Sequence, residues 1–166
     1  NLDDITHIDF IEKNAGIPEM ICFRFNPGPI RSGNGIIGSP KEAKFGLTRE
    51  QMIEAYTIMK SKGVKRFGIH TMVASNELDE QYFIETVKMI LELTEEIEQK
   101  IGIEFEFINI GGGIGIPYLP HQDAVNLESL GKKINKLFMQ RKNTKLFMEM
   151  GRVITGPYGY LITKAI

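Results

Sequence analysis

Three stretches of this sequence gather groups able to hold a charged ligand, and each falls where a strand should end. Gly111-Gly112-Gly113 follows directly on Phe107-Ile108-Asn109-Ile110. Three glycines let the backbone approach a ligand closely, and successive N–H groups can form an anion cradle, with phosphate the natural guest. The same tripeptide also reads as a flexible turn before a helix. Glu149-Met150-Gly151-Arg152 sets a carboxylate and a guanidinium in one short segment. They are either a surface ion pair or a division of roles. In the second case Arg152 or the Gly151 N–H holds a phosphate, and Glu149 keeps a heterocyclic nitrogen protonated so that the ring accepts electrons from a carbanion. The third stretch is Gly68-Ile69-His70-Thr71-Met72-Val73-Ala74-Ser75-Asn76. His70 and Met72 are two apart on a strand and so share a face. Ser75 lies just past the strand end, within reach of a phosphate oxygen. A lone strand histidine such as His70 is more often a satisfied core residue.

The elements that must position these groups alternate strand and helix. Ile21 to Phe25 reads as a short buried strand. Asn26 to Phe45, rich in Gly and Pro, is a long loop of the kind that is functional or mobile. Thr48 opens a helix with Gln51 as the reciprocal member of a capping box. Met52, Ala55, Tyr56 and Met59 form its apolar face, and Gly63 stops it. Arg66 to Thr71 is a strand. Asp79 to Lys100 is a long helix with Phe83, Val87, Ile90, Leu91 and Ile97 inward. Phe105 to Ile110 is a strand, and Asn126 to Gln140 a helix with Leu130, Ile134, Leu137 and Phe138 on one side. Leu146 to Met148 and Tyr160 to Lys164 complete the strands, and Asp4 to Lys13 reads as an opening helix. Such alternation implies parallel pairing through right-handed crossovers, in a doubly wound sheet or a barrel, with ligands at the C-terminal strand ends. That rule selects Arg24 to Gly28, His70 to Asn76, Asn109 to Tyr118, Glu149 to Arg152 and the end of the last strand. Five or six strands are expected. A closed eight-stranded barrel takes ~250 residues; the 166 residues here suffice only for an incomplete one.

Composition excludes other classes. Apolar residues at 42% and charged residues at 25% describe an ordinary globular chain able to build a core. A net charge of −1 gives no reason to expect nucleic acid or a membrane surface. No apolar run approaches the ~20 residues that span a bilayer. Cys22 is the only cysteine, which leaves no disulfide framework and no thiolate metal site and fits a reducing cytoplasm. His7, His70 and His121 are too far apart for a local metal motif. There is no nucleotide P-loop and no Gly-x-Ser-x-Gly elbow. The first residue is Asn1 rather than Met and no signal peptide is present, as expected of a trimmed or processed chain.

In order, Asn26-Pro27-Gly28, Lys44-Phe45-Gly46-Leu47, Gly68-Ile69-His70 through Ser75-Asn76, Gly111 through Tyr118, and Glu149-Met150-Gly151-Arg152 resemble the fold-type III pyridoxal-phosphate decarboxylases, the diaminopimelate decarboxylase group above all. The resemblance covers essentially the whole chain. It implies an α/β barrel of the alanine racemase-like type, with residues 1–166 its central part and a C-terminal β domain elsewhere. It also implies a homodimer, pyridoxal 5'-phosphate as cofactor and a small amino acid as substrate. The reaction would be conversion of meso-diaminopimelate to lysine and CO2, in cytoplasmic lysine biosynthesis. Carried over, Gly111, Gly112 and Gly113 cradle the cofactor phosphate, assisted by Ser75, Gly151 and Arg152. Glu149 meets the pyridine nitrogen, and His70, Met72 and Arg24 lie near the ring. Lys44 stands near the dimer interface, or is a solvated loop charge. Met72 occupies a position where the family commonly has a ring-stacking His, and a thioether can pack on an aromatic face but cannot donate a proton. Met150 replaces the Pro of the family's Glu-Pro-Gly-Arg. The Schiff-base lysine belongs before Asn1, and the Cys, Asp and Tyr of the C-terminal domain lie beyond Ile166; Cys22 does not match that Cys. The chain alone is therefore expected to be inactive and, with strand edges and apolar faces uncovered, to self-associate. The alternatives are a related ornithine, arginine or carboxynorspermidine decarboxylase, a racemase on the same barrel, a non-catalytic binding homologue, or an unrelated phosphate-binding barrel enzyme.

Overall fold

Each strand of this chain hands over to a helix whose apolar stripe returns across the sheet. The structure, a computed structural model, describes residues 1–31 and 45–164. Strands β1 (Met20–Phe25), β2 (Arg66–Thr71), β3 (Phe105–Gly112) and β4 (Lys145–Glu149) pair parallel in the order β1-β2-β3-β4. Helix α1 (His7–Ala15) precedes the sheet, α2 (Arg49–Ser61), α3 (Glu80–Ile101) and α4 (Leu127–Phe138) form the crossovers, and the short α5 (Arg152–Thr155) follows β4. Strand order equal to chain order contains no reversal. Successive right-handed crossovers then lay every helix on one side of the sheet, which is the winding of a barrel and not of a doubly wound sheet.

Register assigns the faces. Ile21, Phe23 and Phe25 of β1 stand beside Phe67, Ile69 and Thr71 of β2, and all six are buried. They face the helices, where the fully buried Tyr56 of α2 meets Phe23, Phe67 and Phe105 edge-on at 5.1, 6.0 and 5.1 Å. Its hydroxyl donates to the Gly68 carbonyl at 2.6 Å and accepts the Phe23 N–H at 3.4 Å. Leu146 and Met148 of β4 line a cavity with Ile134 and Phe138 of α4. The opposite, inner face carries Arg24, Gly68, His70, Asn109, Phe147 and Glu149 by strand alternation. A register shift at Phe67/Gly68 turns Phe107 to that side, where its ring lies so close over Gly68 that a Cβ there would meet it at 2.0 Å.

Local chemistry explains the element ends. The Thr48–Gln51 capping box forms. Gly63 and Gly102, at φ 90° and 68°, end α2 and α3. The outer edge of β1 is covered by short bridges from Leu2 and Leu47. Four strands stand among the described residues where five or six were expected. Residues 160–164 form none: Tyr160, Leu161 and Ile162 are about nine-tenths exposed, without the neighbouring backbone that a strand requires. Part of the long loop after β1 is a 3-10 turn at Gly28–Ile30. The expectation for Lys44 falls within 32–44, outside the described residues.

Candidate functional site

A polar row crosses the inner face where the strands end. Arg24, His70 and Asn109 occupy matched register positions on β1, β2 and β3, and Phe147 of β4 completes the row. Glu149 follows two residues later. Its Oε1 accepts from Asn109 Nδ2 at 2.9 Å and lies 3.6 Å from His70 Nε2. The Asn109 Oδ1 in turn accepts the Gly111 N–H at 2.8 Å. On the far side of His70, Asn1 Nδ2 meets Nδ1 at 3.2 Å. An amide nitrogen only donates, so Nδ1 is the acceptor and Nε2 carries the hydrogen. That Nε2 is buried and has no hydrogen-bond partner among the described residues. Burial pushes the imidazole below its ordinary pKa; the Glu149 carboxylate pulls it up and the Arg24 guanidinium pushes it down. His70 is therefore neutral at pH 7. Arg24 itself donates to the Met72 carbonyl at 3.4 Å, stands 4.0 Å from Asp3 and lies over the Phe45 ring at 5.6 Å.

The glycine turn is stitched to the β2–α3 loop. Glu77 N–H donates to the Gly113 carbonyl, Gly115 N–H to the Glu77 carbonyl, and Ile116 N–H to Asn76 Oδ1. Ser75, between Ala74 and Asn76, is thus held against the glycines. Added Cβ atoms at Gly111, Gly112 and Gly113 would strike the carbonyl oxygens of Thr71, Glu149 and Ala74 at 2.4, 2.2 and 2.3 Å. The glycines are needed first because three neighbouring backbones converge on them. Met72 points its sulfur at this turn, accepting the Gly112 N–H at 3.1 Å.

Of the residues singled out in the sequence, His70, Met72, Ser75, Gly111, Gly112, Gly113 and Glu149 lie at one end of the sheet with Arg24 beside them. Gly151 and Arg152 follow on from Glu149 at the start of α5. Gly156 Cβ, if present, would meet Ile116 Cδ1 at 2.9 Å and Arg152 Cγ at 3.2 Å, so the Arg152 stem neighbours the segment that follows the glycines. Among the described residues no hydrogen bond or ion pair joins the Arg152 guanidinium to the glycines or to Glu149. Glu149 turns to Asn109 and His70 instead, so the two charges of this motif are not an ion pair.

This end of the sheet can be set beside known proteins. Over residues 1–156 the chain matches the family described as pyridoxal-dependent decarboxylase, pyridoxal binding domain. The chain belongs to this family. It is 31% identical over 159 residues to Protein TabA of Pseudomonas amygdali pv. tabaci, covering 94% of this chain and 38% of that protein. It is 33% identical over 171 residues to diaminopimelate decarboxylase of Archaeoglobus fulgidus, covering 99% and 40%. Among solved structures it superposes on diaminopimelate decarboxylase of M. jannaschii in complex with L-lysine, with TM-score 0.76 and 28% identity over 92% of this chain and 37% of that one. This pyridoxal-binding domain therefore spans about two fifths of the length of the curated relatives it matches. The neighbours are decarboxylase barrels, and a sheet wound in one direction is a part of such a barrel.

Sequence reasoning passed over Asn109, whose amide touches both the carboxylate and the glycine turn. Its position two residues before a glycine was the available signal, since Asn side chains commonly accept from the N–H two residues on.

Proposed function

We propose that this pyridoxal-binding domain holds the cofactor of a decarboxylase that converts meso-diaminopimelate to lysine and CO2. The observation that carries the reading is the Glu149 carboxylate on the inner face, tied through Asn109 to the glycine turn beside Ser75. The relatives named diaminopimelate decarboxylase, at 32% and 33% identity, support that choice of substrate.

The donor set suits pyridoxal phosphate. Glu149 has a half-exposed side chain and one hydrogen-bonded oxygen, which leaves lone pairs for a protonated ring nitrogen. Glycine amides, the Ser75 hydroxyl and the Arg152 guanidinium are donors of the kind that bind a phosphoryl group. His70 brings a buried nitrogen whose hydrogen has no acceptor among the described residues. Bound there, the cofactor supplies an electron sink for the bond pair released on decarboxylation. Glu149 keeps a proton on the ring nitrogen. Gly111, Gly112 and Gly113 would shape the phosphate-binding turn, with the Gly111 and Gly112 N–H groups given to Asn109 Oδ1 and the Met72 sulfur in this structure, and Ser75, Gly151 and Arg152 would hold the phosphate with them. Neutral His70, the Met72 thioether and Arg24 line the ring's surroundings, with Met72 contributing contact but no proton.

In this proposal residues 1–166 are the central part of a barrel domain. The lysine that binds the cofactor covalently, and a C-terminal β domain, belong to the rest of the protein. The whole works as a cytoplasmic homodimer on a small amino acid, and residues 1–166 alone are inactive and self-associate. The test is the full-length protein with pyridoxal phosphate, followed by absorbance and by CO2 release from meso-diaminopimelate, ornithine, arginine and carboxynorspermidine. Release of CO2 from meso-diaminopimelate in preference to the others is expected. Failure to bind pyridoxal phosphate would overturn the cofactor assignment, and preference for another amine acid would overturn the substrate alone.

A further inference from the structure

We propose that Asn109 is a positioning residue that sets the Glu149 carboxylate and the glycine turn relative to each other. The inference rests on the cofactor reading above and adds a residue to it. At the end of the β3–β4 ladder, Asn109 pairs with Phe147 and Gly112 with Glu149, so β3 advances three residues where β4 advances two. The extra residue is a bulge. Gly111 takes φ 70° within it, as bulge glycines do. The Asn109 side-chain Oδ1 accepts the Gly111 N–H at 2.8 Å, a link to the residue two ahead that stabilises such a bend.

The other half of the same amide is spent on Glu149, which receives Nδ2 at 2.9 Å. The amide cannot be reversed. Turned over, it would set oxygen against carboxylate and NH2 against N–H. Both partners therefore select one orientation, and that orientation fixes the spacing between the ring-nitrogen carboxylate and the phosphate-binding turn. Among the described residues, the other titratable groups around Glu149 include His70 at 3.6 Å and, acting on His70, Arg24, Asp3 and the Asn1 ammonium. None of them touches the glycines by a hydrogen bond among the described residues.

The two halves separate by substitution. N109D keeps an acceptor for Gly111 but exchanges the donor for a like charge beside Glu149. N109S keeps only a short hydroxyl acceptor and adds no charge. In the full-length holoenzyme, melting temperature and the dissociation constant of pyridoxal phosphate are measured from about pH 4.5 to pH 8, a range that includes the upper titration step of a close carboxylate pair. N109D is expected to melt like wild type near pH 8 and to bind the cofactor about tenfold more weakly there, the usual loss for a hydrogen bond to a charged group. Its affinity relative to wild type should recover toward about pH 5, when one proton is shared between the two carboxylates. The pH limb should vanish in N109D/E149Q, and N109S should bind more weakly at every pH without a limb. If N109D proves unstable, N109S with wild-type melting and weakened binding still carries the proposal. Wild-type affinity for both variants, with no limb, overturns the role of Asn109 and leaves the cofactor reading intact. A wild-type protein that does not bind pyridoxal phosphate overturns both.

Discussion

Gly112 offers a sharp perturbation, because the obstacle to a side chain there is backbone. A Cβ at this position would lie 2.2 Å from the Glu149 carbonyl oxygen, against 3.4 Å for ordinary contact. A flexible side chain could swing aside, but a strand carbonyl moves only with its strand. G112A must therefore push the end of β4 outward by about 1 Å or distort the bulge, at roughly 1–3 kcal/mol for an overpacked site. Glu149 moves with it. A displacement of about 1 Å in a positioned group costs on the order of 100-fold in rate. In the full-length enzyme, G112A is expected to lower the melting temperature by several degrees and kcat/KM by about 100-fold. G131A is the control. Gly131 lies inside α4 with nothing within 4 Å of its would-be Cβ, and alanine in a helix interior gains about 0.5–1 kcal/mol. That variant should melt higher and turn over normally. If G112A shows wild-type melting and wild-type kcat/KM, the close approach of β3 and β4 is not what requires glycine, and the reasoning fails.

Other perturbations follow from the same contacts. Y56F removes a hydroxyl that serves two buried backbone groups, Gly68 O and Phe23 N; it should cost about 1–3 kcal/mol in urea unfolding, and an unchanged midpoint would contradict the assignment. R31K replaces a guanidinium stacked 4.0 Å over Tyr82 and bonded to the Tyr82 carbonyl, Thr86 and Glu85. Lysine cannot reproduce the planar fork, so faster hydrogen exchange in the first turns of α3 is expected, and wild-type exchange would count against it. His70 is held below its ordinary value of 6.5 by burial. The unfolded chain therefore takes up this proton before the native state does, and the site's contribution is intact above pH ~6.5 and declines as pH falls below it. H70Q should flatten that part of the stability–pH curve, and an unchanged slope would refute the burial effect.

Local signals in the sequence translated directly into structure. The Thr48–Gln51 box needs only residues three apart, and the α3 face of Phe83, Val87, Ile90, Leu91 and Ile97 needs only helical periodicity; the box forms and the face is buried as expected. Residues 160–164 carry strand-like side chains, but a strand exists only where another backbone meets it, and that information is not local. Gly111–Gly113 looked like a ligand cradle, whereas their immediate constraint is the crowding of Thr71, Glu149 and Ala74. Both demands call for glycine, so residue type alone could not separate them. Glu149 and Arg152 looked like partners because they are close in sequence. The end of β4 intervenes: Glu149 is the last residue of a strand, facing inward, and Arg152 begins a helix beyond it.

The two faces of the sheet divide stability from chemistry, and the division is visible in the aromatic residues. On the helix side, Phe23, Phe67 and Phe105 close around Tyr56 with no exposed edge, and every polar atom of that tyrosine is paired. On the inner side, Phe107 lies across Gly68 and meets Phe147 edge-on at 5.4 Å. Phe107 lies before the row on β3, and the half-exposed Phe147 stands in it beside Asn109. His70 Nε2, buried and without a hydrogen-bond partner among the described residues, lies 3.6 Å from the carboxylate that would meet the cofactor ring. Helix-side substitutions should register mainly as melting temperature, while inner-row substitutions should register mainly as cofactor affinity. Gly68 joins the two, since its carbonyl receives Tyr56 on one face while its missing side chain admits Phe107 on the other.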